Sequence, residues 1–349
     1  MISEVLNEYG LNSAALNVTP FGTGLINHTW KIHLNGDANS FILQKINCKI
    51  FRKPEDIAHN TRLIGEYLHK NFPNYLYVRP LLSKSGADIV HIKDKGFFRL
   101  VPFVENSHTI DVVQSPGQAY EAARQFGKFT KLLNGFDVSQ LRITIPDFHN
   151  LPLRYSQFLD AIKQGNPSRI EDSKEMIQWL VEHDFLVKRF GAMEQSSGFK
   201  KRVTHHDAKI SNVLFNENNQ GLCVIDLDTV MPGYFISDVG DMFRTYLSPV
   251  SEEESDFTKV EVRDEYYHAI CEGYLSEMRE ELSADEKSGF FDGGCYLIYM
   301  QALRFITDHL QDDAYYGAHY ANQNFVRAGN QMILLQKLLS KESEMRSSH

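Results

Sequence analysis

Val203-Thr204-His205-His206-Asp207-Ala208-Lys209-Ile210-Ser211-Asn212-Val213-Leu214-Phe215 is the stretch on which the reading of this chain turns. It sets Asp207 and Asn212 five residues apart, in the pattern H-x-D-x-x-x-x-N, and runs into the apolar Val213-Leu214-Phe215. A second apolar run, Cys223-Val224-Ile225, delivers Asp226 fourteen positions after Asn212, with Asp228 two further on. Short apolar, β-branched runs bounded by polar turns read as strands. Val203 to Val230 is therefore a β-like island. An Asp–Asn pair in such a turn also suits the capping of backbone groups by short polar side chains, so the pair by itself leaves two readings open.

The surroundings of the island are helical in pattern. Ala122, Phe126, Phe129 and Leu133 recur at intervals of 4, 3 and 4, which lines one helix face. Helical stretches are expected at about 173–192, 261–282 and 292–311, and from about 323 onward. The first hundred residues differ. Thr29 to Leu34 and Phe41 to Ile46 flank Asn35-Gly36-Asp37, a hairpin signal. Pro54 to Lys70 carries Ile57, Ile64 and Leu68 at helical spacing. Tyr75 to Leu82 and Phe97 to Val101 read as two further strands. Pro102 to Gly117, with two prolines, Asn106 and Ser107, reads as a connector. The expected order is a small β-rich lobe over 1–104, then a larger, mainly helical lobe over 105–349. A cleft between two lobes is a common place for a ligand.

Phosphoryl transfer asks little covalent chemistry of a protein. It needs a carboxylate beside the attacking hydroxyl, oxygen ligands for Mg²⁺, and cations near the moving phosphate. Asp207 offers the carboxylate. Asn212 and Asp226 offer a neutral and an anionic oxygen, which suit a hard cation. Lys209 stands two residues past Asp207, placed to neutralise phosphate charge. Nearer the N-terminus, Gly22-Thr23-Gly24-Leu25-Ile26-Asn27 lies between strand-like runs. Glycine at Gly22 and Gly24 lets backbone N–H groups approach phosphates closely, and a plain hairpin turn uses glycine as readily.

With these residues in view, the chain resembles the phosphotransferase family that includes aminoglycoside and choline kinases. Within it, the chain is similar to bacterial N-acetylhexosamine 1-kinases. The matching strings are FGTGLINHTW (21–30), FILQKIN (41–47), IPDFHNLPLR (145–154), VTHHDAKISNVLF (203–215), VIDLDTVMPG (224–233), SDVGDMFR (237–244) and RFITDHLQDDAYY (304–316). The resemblance implies a two-lobed, protein-kinase-like α+β fold, with a small antiparallel-sheet N-lobe and a helical C-lobe. It implies ATP and Mg²⁺ as cofactors, Asp207 as catalytic base, and Asn212 and Asp226 as metal ligands. Gly22, Gly24, Asn27 and Lys45 would serve the nucleotide. So would Phe103 and Val104, from the Pro102–Asn106 hinge whose backbone would meet the adenine. Arg304 and Tyr315, eleven apart, would contact the sugar; Asp238 would brace the catalytic loop. The implied product is the 1-phosphate of N-acetylglucosamine or N-acetylgalactosamine. Kinases for choline, an aminoglycoside or another sugar, and a non-catalytic ATP-binding protein, are the competing readings.

Two departures stand out. Sugar kinases of this group often carry His where this chain has Leu25, a side chain that neither donates nor accepts a hydrogen bond. Kinases place a lysine on the third strand to grip the phosphates; here that position reads Gln44, with Lys45 beside it. Asp228 is expected to hydrogen-bond the loop rather than the metal.

Composition narrows the partners. A formal charge of −9 argues against a general nucleic-acid or acidic-membrane binder. No run approaches the 18 apolar residues of a membrane span. The four cysteines form neither a CxxC pair nor a zinc-spaced cluster, and are expected as free, buried thiols. The N-terminal residues lack a basic start and apolar core. A cytoplasmic enzyme acting on a small molecule, as monomer or weak dimer, is expected.

Overall fold

The structure, a computed structural model, describes residues 1–11, 16–22, 26–34 and 40–346. The chain begins with α1 (Ile2–Glu8), β1 (Leu16–Pro20), β2 (His28–Leu34), β3 (Ser40–Lys45), α2 (Pro54–Asn71), β4 (Val90–Ile92), β5 (Gly96–Pro102) and β6 (Ser107–His108). Then follow α3 (Pro116–Leu132), α4 (Leu151–Gln164), α5 (Pro167–Asp172), α6 (Lys174–Glu182), α7 (Phe185–Gln195), β7 (Arg202–Thr204), β8 (Val213–Asn216), β9 (Gly221–Val224) and β10 (Met231–Gly233). The last elements are α8 (Ile236–Tyr246), α9 (Asp264–Met278), α10 (Ala284–Ser288), α11 (Phe290–Leu310), α12 (Gln323–Ser340) and α13 (Glu342–Arg346). Contacts divide them into two compact units. The first comprises Met1–Thr109, Leu132–Pro146 and Val213–Pro232; the second, Ile110–Lys131, Asp147–Asn212 and Gly233–His349. The sequence pattern suggested one cut after residue 104. By contacts, 132–146 and 213–232 group with the first unit instead.

The first unit is built on an antiparallel sheet of order β1-β2-β3-β5-β4. Successive side chains of a strand face opposite sides. Ile32, Leu43, Phe98 and Leu100 fall on one side, where Val5 and Leu6 of α1 complete a buried apolar cluster. Register pairs put Thr19, Lys31, Ile42, Gln44 and Arg99 on the other, largely polar side. The expected hairpin is β2 and β3; its turn, 35–39, lies outside the described residues. Helix α2 starts on Pro54, with Glu55 and Asp56 in its first turn and His69 and Lys70 in its last, in keeping with the helix dipole. Its Asn60 is fully buried. The Asn60 amide donates to the carbonyls of Val230 (2.9 Å) and Arg142 (2.8 Å), which pins α2 to the segment following Asp226.

Tyr75 to Leu82 corrects an expectation: it is an extended connection, not a strand. Its Tyr77 turns back toward α2, where the hydroxyl donates to the Thr61 carbonyl at 2.7 Å. Pro80 has no N–H for a ladder. The short β4 takes the sheet edge instead.

The second unit is helical around α11, whose residues are almost all buried. Helix α8 crosses α11 at Gly240 and Gly293. A Cβ on Gly240 would fall 2.2 Å from the Gly293 carbonyl oxygen, so only glycine permits this approach. Helix α4 was not foreseen, and the expected 173–192 helix is two helices, α6 and α7. Of the free cysteines, Cys223, Cys271 and Cys295 are buried; Cys48 is exposed, contrary to expectation. Among the described residues, no helix is long and apolar enough to cross a membrane.

Candidate active site

In the second unit, β7 ends at Thr204 and the chain turns through His205, His206 and Asp207 into a 3-10 turn at Ile210–Asn212. His206 has φ +65°, a strained value for a non-glycine residue. The strain is held by Asp238 in the first turn of α8. Its carboxylate accepts from the His205 amide at 3.0 Å and the His206 amide at 2.7 Å. Burial pushes the Asp238 carboxyl up to about 6, and the two amides oppose that rise. From below, the His205 ring meets Phe126 of α3 edge-on at 5.2 Å.

The braced turn presents Asp207, whose side chain keeps 23% of its exposure. Burial alone would raise its pKa. The Lys209 ammonium at 2.9 Å and the Asn212 amide at 2.9 Å outweigh this and hold the carboxyl below its ordinary value. Asn212 also donates to the Asp207 carbonyl at 2.9 Å. With its nitrogen so used, Asn212 has its amide oxygen for a cation. Beneath lies Asp241. One of its oxygens accepts from Arg244 at 2.9 Å, and the other is buried without a partner among the described residues. Burial, and then the Asp207 charge, raise the Asp241 carboxyl against the pull of Arg244. Arg244 continues to Glu252 (2.7 Å), and Glu252 to Arg327 (3.1 Å), whose guanidinium lies 3.7 Å from the Phe305 ring centroid.

The same unit gathers a second group. Arg304 of α11 lies 5.4–5.9 Å from the rings of Phe148, Tyr315 and Tyr316. Arg304 and Tyr315 are thus brought together, and Tyr315 is 68% exposed. The carboxylate of Asp308 fixes this corner, accepting from the amides of Tyr315 (2.6 Å) and Tyr316 (2.9 Å) and from Asn324 (3.1 Å). Phe148 leads back to the Asp207 turn, its ring 6.5 Å from that of His206. Arg154 joins the group. Burial and then the Arg304 charge lower its pKa, and its Nε is buried without a partner among the described residues. Among the described residues, neither arginine is ion-paired to a carboxylate; Arg154 donates to Gln157 and to the Asp147 carbonyl, Arg304 to Gln301. His149 feels the charge of both. Burial, then the charges of His206 and Arg304, push its pKa well down, and the Ser237 hydroxyl meets the rings of both His149 and His206.

In the first unit, Asp226 is exposed and left-handed, φ +59°, at the head of a 3-10 turn over Leu227–Thr229. Asp228 in that turn is buried and accepts from Asn27 (2.7 Å) and Arg99. Gly22 has φ +79°, which explains glycine there; Gly24 and Leu25 lie outside the described residues. The polar side of the sheet holds a pocket of about 370 Å³ lined by Asn17, Thr19, Lys31, His33, Ser40 and Glu105. The Lys31 ammonium lies 3.5 Å from the Phe103 ring centroid. The Phe103 amide is spent on the Ser40 carbonyl, and the Val104 carbonyl accepts from Ser107. Lys45 falls on the opposite, apolar side, its Cε against Gly96.

Sequence reasoning missed Arg99, Phe148, His149, Arg154 and Asp308 as participants. Only Arg99 lay outside the strings that carried the resemblance, and nothing in its surroundings (Phe97-Phe98-Arg99-Leu100) marks it apart from an edge-strand charge.

Among solved structures, an amicoumacin kinase in complex with AMP-PNP, Ca²⁺ and Ami is similar, with a TM-score of 0.65 and 16% identity over 96% of this chain and 92% of that one. A spectinomycin phosphotransferase in complex with ADP and spectinomycin gives 0.62 and 12%, over 97% of each chain. An ethanolamine kinase from Plasmodium vivax gives 0.57 and 14%, over 97% and 87%. At these identities the likeness speaks for the fold. Residues 17–284, most of the chain, match the phosphotransferase enzyme family. With the braced Asp207–Asn212 turn and the sheet before it, that match identifies the chain as a member of the phosphotransferase enzyme family, a small-molecule phosphotransferase of α+β architecture.

Proposed function

We propose that the protein is an ATP-dependent kinase that phosphorylates the anomeric hydroxyl of an N-acetylhexosamine, N-acetylglucosamine or N-acetylgalactosamine, to give the 1-phosphate. Asp207 is the general base: ionised at neutral pH, it accepts the hydroxyl proton as the new O–P bond forms and ADP departs with the electrons of the old one. Lys209 keeps Asp207 charged and faces the moving phosphoryl. Asn212 and Asp226 are the Mg²⁺ ligands, and Mg²⁺ when bound neutralises phosphate charge. The donor set fits such an ion. One neutral amide oxygen from Asn212 and one carboxylate from Asp226 are the hard oxygen donors that such a cation takes, with phosphate oxygens to complete the set. Gly22, Gly24 and Asn27 are assigned to the phosphates, Phe103 and Val104 to the base. Residues 1–104 would serve the nucleotide and 105–349 the acceptor, except that the Asp226 segment groups with the first.

The observation that carries the acceptor class is the pair Arg304 and Arg154, neither in a salt bridge among the described residues, beside Phe148, Tyr315 and Tyr316. Two guanidiniums repel a choline or a polycationic aminoglycoside. They offer rigid donors to ring hydroxyls and an acetamide carbonyl, while Tyr315 offers a flat face to a pyranose.

The test is ADP release from Mg-ATP against N-acetylglucosamine, N-acetylgalactosamine, glucose, choline and kanamycin. Turnover with the acetamido sugars, and at least tenfold lower kcat/KM with the rest, is the expected result. Turnover on choline or kanamycin alone would reassign the acceptor. No ADP from any of the five would remove this substrate proposal.

A further inference from the structure

In protein kinases, a third-strand lysine pairs with a glutamate of the following helix, and catalysis needs that pair in place. This chain has neither partner where expected. The third strand carries Gln44. Lys45 lies on the apolar side of the sheet. On α2, Glu55 is exposed, Asp56 bonds Arg142 (3.0 Å) and Glu66 lies 4.0 Å from Arg79.

A cation reaches the polar side of the sheet from the neighbouring strand. Arg99 of β5 is the direct register partner of Gln44. It is 7% exposed, and its Nε donates to the Gln44 side-chain oxygen at 2.8 Å. Its Nη1 makes an ion pair with Asp228, which is 2% exposed. The other Asp228 oxygen accepts from Asn27 at 2.7 Å, and the Asn27 side-chain oxygen accepts from the Asn47 amide at 3.0 Å. One guanidinium thus joins four segments: the end of the glycine loop, β3, β5 and the turn headed by Asp226. A buried ion pair gives up the hydration of both ions, and a well-packed apolar pair often replaces it without loss of stability. Its presence here is better accounted for by what it orients.

We propose that Arg99 is a positioning residue for the metal–nucleotide. Through Asp228 it holds Asn27 and the Asp226 turn in fixed relation, supplying from the fifth strand the order that a third-strand lysine and helix glutamate supply in protein kinases. The proposal rests on the reading of the protein as an ATP-dependent kinase.

The test is calorimetric titration of the full chain with Mg-ATP and with ATP in EDTA, without acceptor. Two variants are compared with the parent: Arg99→Met combined with Asp228→Leu, and Arg99→Lys. The first removes both buried charges together, so a purely structural pair would leave nucleotide affinity intact. It is expected to melt within a few degrees of the parent and to bind Mg-ATP at least tenfold more weakly. The change in EDTA is expected to stay under threefold, because the loss runs through the turn that carries the metal carboxylate. Arg99→Lys keeps the charge but loses the fork that spans Gln44 and Asp228, and is expected to bind Mg-ATP three- to tenfold more weakly. A folded double variant with Mg-ATP affinity within twofold of the parent overturns the proposal. If the double variant does not fold, unchanged affinity in Arg99→Lys does so. A parent that binds no Mg-ATP would instead remove the kinase reading.

Discussion

Asp207 illustrates how a partly buried carboxylate is kept charged. Its desolvation is outweighed by the Lys209 ammonium, the His205 ring and the Asn212 amide, all supplied within five residues of chain. Asp207→Asn keeps the size of the side chain and removes the proton acceptor. Turnover is expected to fall by about 10²–10⁴, with the dissociation constant for Mg-ATP within a few-fold of the parent. Steady-state kinetics and nucleotide titration check both, and a variant that turns over normally would show that Asp207 is not the base. Arg304→Met is expected to raise KM for the proposed acetamido sugar roughly ten- to hundredfold, the effect of one lost charged hydrogen bond of about 1.5–3 kcal/mol. KM for ATP should not move; if it does, Arg304 acts elsewhere. Asp207, Lys209 and Asn212 were legible because their partners are sequence neighbours. The Arg99–Asp228 and Asn27–Asp228 contacts join residues 129 and 201 positions apart, a separation that no spacing rule addresses.

The turn that carries Asp207, as an element, depends on the first turn of α8. Two backbone amides on one carboxylate keep His206 in its left-handed conformation, so the protonation of Asp238 matters to the turn. Below about pH 6 the protonated group is a poorer acceptor, and kcat/KM is expected to fall there. Stability runs the opposite way. Burial raises the carboxyl in the folded protein above its unfolded value, so this group favours folding fully below about pH 4. That contribution is lost as the pH rises through 6. A pH profile of Asp238→Asn without the limb near 6 would match this assignment; an unchanged limb would place it on another group. At the crossing of α8 and α11, Gly240→Ala would push a methyl onto the Gly293 carbonyl. Overpacking of this kind costs about 1–3 kcal/mol, visible as a lower melting temperature; an unchanged melting temperature would mean the helices part freely. Helix α2 and the β2–β3 pair were legible because period and turn chemistry agree there. Tyr75 to Leu82 misled because alternating tyrosines and aliphatics read as a strand, whereas Pro80 and the Tyr77–Thr61 bond commit the segment to a connection.

For the whole molecule, a ligand that binds only the folded chain stabilises it by mass action, by about 2.7 kcal/mol at one hundred times its dissociation constant. Saturating Mg-ATP is therefore expected to raise the melting temperature by several degrees, and ATP with EDTA by less; no shift with either would count against nucleotide binding. What the sequence by itself determined is what is local. It set the order of a β-rich part and a helical part, the helix faces, and the Asp207–Asn212 turn with Asp226 a short strand pair away. These follow from period, turn residues and spacing, which act over a few residues. Only the tertiary structure decided that 132–146 and 213–232 group with the N-terminal sheet. The same holds for Arg99 rather than Lys45 on the polar side of that sheet, and for Arg154 and Phe148 joining Arg304 and Tyr315. Each of those outcomes depends on which distant segments share a core or a buried charge, and that is settled by packing and desolvation once the chain has closed on itself.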